Sequence, residues 1–185
     1  MRLFVSIPIS GSAAGELARL QADLSTGRHV EPGNFHVTLA FLGDQDVATA
    51  EAVHELLSEI DMPGFHLGIG GLGVFGDRNP RLVHAMVEKC PWLVRLREKV
   101  RGAIRTGGVE MPRERFRPHV TLARFPRQME PQDRDRLGRF LQAHGDLSLP
   151  PFPVEEFHFC RSHLGPAGPD YEALAEYPLR APENA

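Results

Sequence analysis

His36–Ala40 reads HVTLA, and the same five residues recur at His119–Ala123. At average residue usage, such a coincidence in a chain of this length has a chance of roughly one in a hundred. In an extended strand, successive side chains point to opposite faces. His36 and Thr38 therefore share one face while Val37 and Leu39 take the other, and the second copy repeats the pattern with His119, Thr121, Val120 and Leu122. Each copy offers an apolar face for a core and a face carrying one imidazole and one hydroxyl. A single H-x-T in a strand reads as an ordinary edge-strand histidine; two copies in one context read as a pair. If two related halves pack about a pseudo-twofold axis, two imidazoles and two hydroxyls converge on one cleft. An imidazole titrates near pH ~6.5, so one can take a proton while the other gives one. With guanidinium groups nearby to hold an anion, this set suits phosphoryl chemistry without a metal.

Residues 101–127 carry seven arginines against Glu110 and Glu114, a local charge of +5 inside a chain of net charge −3. Arg101 and Arg105 read as helix-surface groups. Arg124 is a candidate phosphate ligand, since guanidinium binds phosphate bidentately. It lies an odd number of residues after His119, so a regular strand would turn it away from that ring and a bend or bulge is required. Arg113, Arg115 and Arg117 are candidate contacts for a phosphate backbone, and Phe41 and Phe116 candidate stacking groups, though a core position is the commoner one for a phenylalanine. The run GIGGLG at 68–73 satisfies G-x-G-x-x-G, but a turn and a strand follow it, not the helix that a dinucleotide site needs. A glycine-rich strand or bulge is the better reading. The other seven histidines, His29, His54, His66, His84, His144, His158 and His163, show no metal-ligand spacing, and no metal or other cofactor is expected. His84 and His158 fall on strands that could approach the cleft, with a core or surface position favoured.

The elements that position these groups follow from hydrophobic periodicity. Strands are expected at 2–8, 35–43, 65–75, 81–88, 119–125, near 154–163 and near 171–179. Helices are expected after Ser10 or Ser12 (Ala14, Leu17, Leu20 and Leu24 on one face), after Asp46, from Pro91 and near 131–144. Residues 109–118 read as a mobile Arg- and Pro-rich loop, and the tail after Leu179 as frayed. The interleaving predicts an α/β (α+β) fold with mixed or antiparallel sheets, without a linker wide enough to separate domains.

With 42% apolar and 24% charged residues, the 185-residue chain has ordinary globular usage, which excludes collagen-like, disordered and disulfide-scaffold classes. No stretch approaches the ~18 uninterrupted apolar residues of a membrane helix. Pro8 and the polar residues after it argue against a secretory leader. Cys90 and Cys160 stand far apart in no metal spacing, as expected of a reduced cytoplasmic protein. The acidic balance argues against gripping nucleic acid by charge alone.

The paired motifs, together with RLFVSIPI, EPGNFHVTLAFLGD, GLGVFGDRNPRLVHAMVE, FRPHVTLARF and VEEFHFCRSHLGPAGPDYEAL, resemble the 2H phosphoesterase superfamily. Within it the chain is similar to the RNA 2′,3′-cyclic phosphodiesterases, also called 2′-5′ RNA ligases. The resemblance implies one domain over residues 1–185, with two intertwined pseudo-symmetric lobes whose antiparallel sheets face a central cleft. It implies that His36 protonates the leaving 3′ oxygen and His119 deprotonates the attacking water, with Thr38 and Thr121 on the non-bridging phosphate oxygens. RNA ends bearing 2′,3′-cyclic phosphate would become 2′-phosphomonoesters, and reversal would join such an end to a 5′-hydroxyl. Where this family often has an aromatic residue, the chain reads Arg28-His29-Val30-Glu31. A cytoplasmic monomer is expected. The alternatives are an enzyme for a small cyclic phosphate, such as ADP-ribose 1″,2″-cyclic phosphate, and a non-catalytic RNA-binding module. From the residues alone, either histidine could be the acid.

Overall fold

The computed structural model describes residues 1–76, 78–165 and 168–181. Among the described residues, nine strands and four α-helices follow one another: β1 (Arg2–Pro8), α1 (Gly11–Ala22), β2 (Arg28–His29), β3 (His36–Asp44), α2 (Val47–Ser58), β4 (Phe65–Phe75), β5 (Leu82–Val87), α3 (Pro91–Thr106), β6 (His119–Arg124), α4 (Pro131–His144), β7 (Ser148–Val154), β8 (Glu156–Gly165) and β9 (Gly168–Pro178). The order across the sheet is β7-β4-β5-β6-β3-β1-β8-β9, with β2 added to β6, and every strand pair is antiparallel. The fold is thus mixed α/β around a large antiparallel sheet. The two HVTLA strands, β3 and β6, lie side by side at its centre, with Val37 opposite Val120.

Each element has a local cause. Asp46 accepts the Thr49 N–H at 2.8 Å and caps α2, and Pro91 opens α3, where a missing N–H costs nothing. Ser10 stands at the N-cap of α1 but makes no side-chain cap bond. Gly71 adopts φ +84° where the β4–β5 register shifts, so the glycine-rich run is a bulged strand. β7 was not expected: its sequence SLPPFPV carries three prolines, which cannot donate to a ladder. The sheet order explains it, because β7 is an edge strand and pairs only with β4. Beyond Leu179, Arg180 is held, not frayed. Its amide donates to the Met62 carbonyl, its carbonyl accepts from Gly64, and its side chain pairs with Asp61 at 2.6 Å. The rest of the expected frayed tail, 182–185, lies outside the described residues.

The core fills one face of the sheet. Val37, Leu39, Val120 and Leu122 are at most 1% exposed, together with Leu17, Val53, Leu57, Leu93, Leu96 and Val100 from the helices. Burial of such a side chain is worth about 1.5–3 kcal/mol, so the apolar half of each HVTLA copy fixes which face remains for chemistry. No helix among the described residues is long and apolar enough to cross a membrane.

Candidate active site

The opposite face of β3 and β6 opens into a cleft of about 590 Å³, whose lining includes His36, Thr38, Phe41, His119, Thr121 and Arg124. The two histidines are held alike. Nδ1 of His36 bonds the Asn34 carbonyl at 2.7 Å, and Nδ1 of His119 bonds the Arg117 carbonyl at 2.7 Å, each two residues upstream. A carbonyl only accepts, so Nδ1 carries the hydrogen and a neutral ring keeps its lone pair at Nε2. Each ring also meets an aromatic edge: Tyr171 against His36 (centroids 5.1 Å, 86°) and Phe75 against His119 (4.8 Å, 84°).

Arg124 reaches the cleft by the device its spacing demanded. Across β5 and β6, Val83 pairs with Ala123 but His84 pairs with Thr121, so Leu122 is an extra, bulged residue. Leu122 and Ala123 are both buried, the alternation slips by one, and Arg124 rejoins the face of His119. The first copy does the same. Val5 pairs with Ala40 and Ser6 with Thr38, which leaves Leu39 bulged and turns Phe41 into the cleft. The repeat is therefore six positions long in space, and its last position differs: Phe41, 66% exposed, in one copy and Arg124 in the other.

Burial of the cleft walls sets the charge state of the rings. The pKa of His36 falls to about 4, chiefly by burial, with the charges of Arg124 and His119 adding and the Asn34 bond opposing. That of His119 is lowered by burial and by Arg124, against the Arg117 bond. Both rings are therefore neutral at pH 7. An entering anion opposes the effect of Arg124 and favours protonation.

The remaining expected residues divide. Arg115, Phe116 and Arg117 line a smaller cavity of about 180 Å³ that adjoins Phe41 and His119. The Phe116 ring lies 4.3 Å beneath the Arg97 guanidinium and packs against the core. Arg113 is exposed and lines none of the described cavities. The 109–118 segment has no regular structure but is tethered to α3, since Arg97 pairs with Glu114 at 2.9 Å and Arg101 donates to the Pro112 carbonyl at 2.6 Å. Arg101 is thus a buried strut, 8% exposed, not the helix-surface group expected. His84 is buried against His119, whereas His158 lines a side cavity with His36 and bonds Glu156 at 2.9 Å. Glu156, His158 and Glu176 bring ligand atoms within 4.8 Å of one another, outside the main cleft.

Sequence reasoning passed over Phe4, Arg28, Phe75 and Tyr171, all of which line the cleft. Arg28 pairs across β2–β6 with Arg124, which sets two guanidinium-bearing residues side by side. These residues come from β1, β2, β4 and β9, and only the sheet order brings them to the HVTLA strands. A signal for Arg28 was present in its nearness to the first motif.

Residues 6–166 match the family model of the 2′-5′ RNA ligase superfamily. The chain belongs to the 2′-5′ RNA ligase superfamily. The RNA 2′,3′-cyclic phosphodiesterase of Bacillus subtilis is 33% identical over 189 aligned positions, covering 95% of both chains. That of Archaeoglobus fulgidus is 30% identical and covers 94% of this chain and 98% of its own. Among solved structures, Thermus thermophilus TT0787 superposes with a TM-score of 0.77 at 26% identity over 98% of this chain and 99% of its own. Escherichia coli LigT in its apo form gives 0.73 at 25%, over 97% of each. Superfamily membership and the cleft thus agree in kind: a full-length match on a chain whose repeated motif lines one cavity.

Proposed function

We propose that this superfamily member is an RNA 2′,3′-cyclic phosphodiesterase that opens the cyclic phosphate to a 2′-phosphomonoester, with 2′-5′ ligation when the 5′-hydroxyl of another RNA takes the place of the attacking water. The observation that carries it is the matched pair of histidines, each pinned at Nδ1 by an upstream carbonyl, on one face with two threonines and Arg124. The reading rests also on full-length relatives named for that activity.

In this mechanism the terminal phosphate sits between β3 and β6. Thr38 and Thr121 donate to its non-bridging oxygens, and Arg124 compensates its charge. Negative charge develops on those oxygens as water attacks, where fixed donors in a partly buried cleft stabilise it most. Nε2 of His119 takes a proton from the attacking water. The P–O3′ bond breaks, and protonated His36 delivers its proton from Nε2 to O3′. The product keeps phosphate on O2′, and the second turnover needs only proton exchange between the rings and solvent. No step calls for a metal. The two lobes act as one domain over residues 1–185. Phe41, Arg115, Phe116 and Arg117 border the path of the preceding nucleotides; Arg113, which lines none of the described cavities, contributes charge alone. The proposal extends to a cytoplasmic monomer, in keeping with free thiols at Cys90 and Cys160.

The assignment of acid and base is tested with a cyclic substrate whose 3′ oxygen is replaced by sulfur, a leaving group that needs little protonation. His36→Ala and His119→Ala each lose about 10²–10⁴-fold on the oxygen substrate. On the sulfur substrate His36→Ala recovers most of its rate and His119→Ala does not. Recovery by His119→Ala instead would reverse the two roles.

A further inference from the structure

The two histidines differ in one neighbour. Beside the aromatic edge, each ring carries a second, tilted ring: for His36 it is Phe4 (centroids 5.2 Å, 39°), for His119 it is His84 (4.9 Å, 56°). His84 stands on β5 opposite Thr121 and is 6% exposed. It also packs on Phe75 at 4.5 Å, and Phe75 meets His119 at 4.8 Å, so the three rings close a triangle. The fourth wall is Gly73, the cross-strand partner of His84 on β4. A Cβ at Gly73 would stand 2.7 Å from Cε1 of His84 and 2.9 Å from Nε2, so the absence of a side chain there is what lets the imidazole lie against His119.

We propose that His84 is a positioning residue for His119, its ring and that of Phe75 holding the His119 imidazole in the plane from which Nε2 faces the phosphate. The inference rests on the reading of His119 as the base. The hydrogen bond from Nδ1 to the Arg117 carbonyl restrains the His119 ring at one edge only, and the broad well of a terminal sp3–sp2 torsion leaves the ring free to rock against that single bond. Two flat neighbours at different inclinations remove that freedom. Small misplacements of a reacting group cost rate steeply.

The role belongs to the ring and not to its nitrogens. Phe4 plays the same part beside His36 without any polar atom, and Nδ1 of His84 is buried with no hydrogen-bond partner among the described residues. His84 does not share the charge of His119: burial first, then the nearby His119, lowers its pKa to about 4, with a backbone interaction at Ala85 opposing. At pH 7 it is a neutral spacer beside His119.

The test compares His84→Ala, His84→Phe and Gly73→Ala on a short RNA ending in 2′,3′-cyclic phosphate. His84→Ala lowers kcat by about tenfold or more while KM stays within about twofold. His84→Phe retains kcat and raises the melting temperature, since the orphaned nitrogen is gone. Gly73→Ala, which keeps every ring but pushes His84 from behind, lowers kcat in the same manner, and the Gly73→Ala/His84→Ala double variant is no slower than His84→Ala alone. Wild type and His119→Ala in the same assay show separately whether the reading of the active site holds. As a readout independent of turnover, the ring proton signal of His119 shifts or broadens in His84→Ala and Gly73→Ala and stays in place in His84→Phe, while that of His36 is unmoved. Full kcat with an unchanged His119 signal in His84→Ala would overturn the proposal, as would a His84→Phe variant as slow as His84→Ala.

Discussion

Neutral imidazoles, one buried and two half-buried, give the site a cost that pH can expose. His36 and His84 are both held near pKa 4, and His119 is also lowered, whereas the same side chains titrate near ~6.5 in an unfolded chain. Between those values the unfolded state binds protons that the folded state does not, so folding stability is whole above pH 6.5 and falls as pH drops towards 4. The expected outcome is a lower denaturation midpoint at pH 5.5 than at pH 7, in a window above most carboxylate titration. His84→Phe removes one of the contributing groups, so its midpoint falls less over the same interval. An equal fall in both proteins would mean that the His84 ring is protonated in the native state. The identities of His36, Thr38, His119 and Thr121 were legible directly from the duplicated pentapeptide. His84 was legible only as a histidine on a strand, because what makes it matter is a neighbour on another strand.

At the scale of elements, the decisive feature is a bulge in each HVTLA strand at the leucine. The odd spacing of Arg124 from His119 required some irregularity, and the bulge at Leu122 is that irregularity. The equivalent bulge at Leu39, which brings Phe41 to the same face, left no such mark, because a phenylalanine on either face of a strand looks ordinary. The second bulge is also braced. Gln21 on α1 is 5% exposed, and its amide donates to the carbonyls of Leu122 and Val30, both at 2.7 Å. Gln21→Met keeps the volume but strips both bonds and leaves the Val30 carbonyl short of its side-chain donor. A loss of about 1–3 kcal/mol is expected, measurable by chemical denaturation, with a larger relative loss of kcat/KM than of fold because Arg124 hangs from the same bulge. A variant as stable as wild type would show that Gln21 is not the brace. Strand β7 shows the opposite limit of sequence reading: local chemistry spoke against it, and only its place at the sheet edge permits it.

Over the whole molecule, the net charge of −3 and the arginine-rich 101–127 segment are reconciled by where the arginines go. Arg97 and Arg101 spend their charge on Glu114 and the loop backbone, while Arg28 and Arg124 face the cleft and form no ion pair among the described residues. Two guanidinium groups thus stand where one phosphate must bind, in a chain whose net charge is −3. The expected outcome is recognition concentrated at the strand end, read as a binding affinity that changes little as the RNA is lengthened. The sheet order makes this possible, since it sets the two halves of the repeat side by side at the centre of one sheet. The most direct measurement of the central claim is the product formed from a short RNA ending in 2′,3′-cyclic phosphate, incubated with the enzyme in excess chelator. A 2′-phosphomonoester formed at full rate is the predicted result; a 3′-phosphomonoester, or turnover abolished by the chelator and restored by a divalent metal, would contradict it.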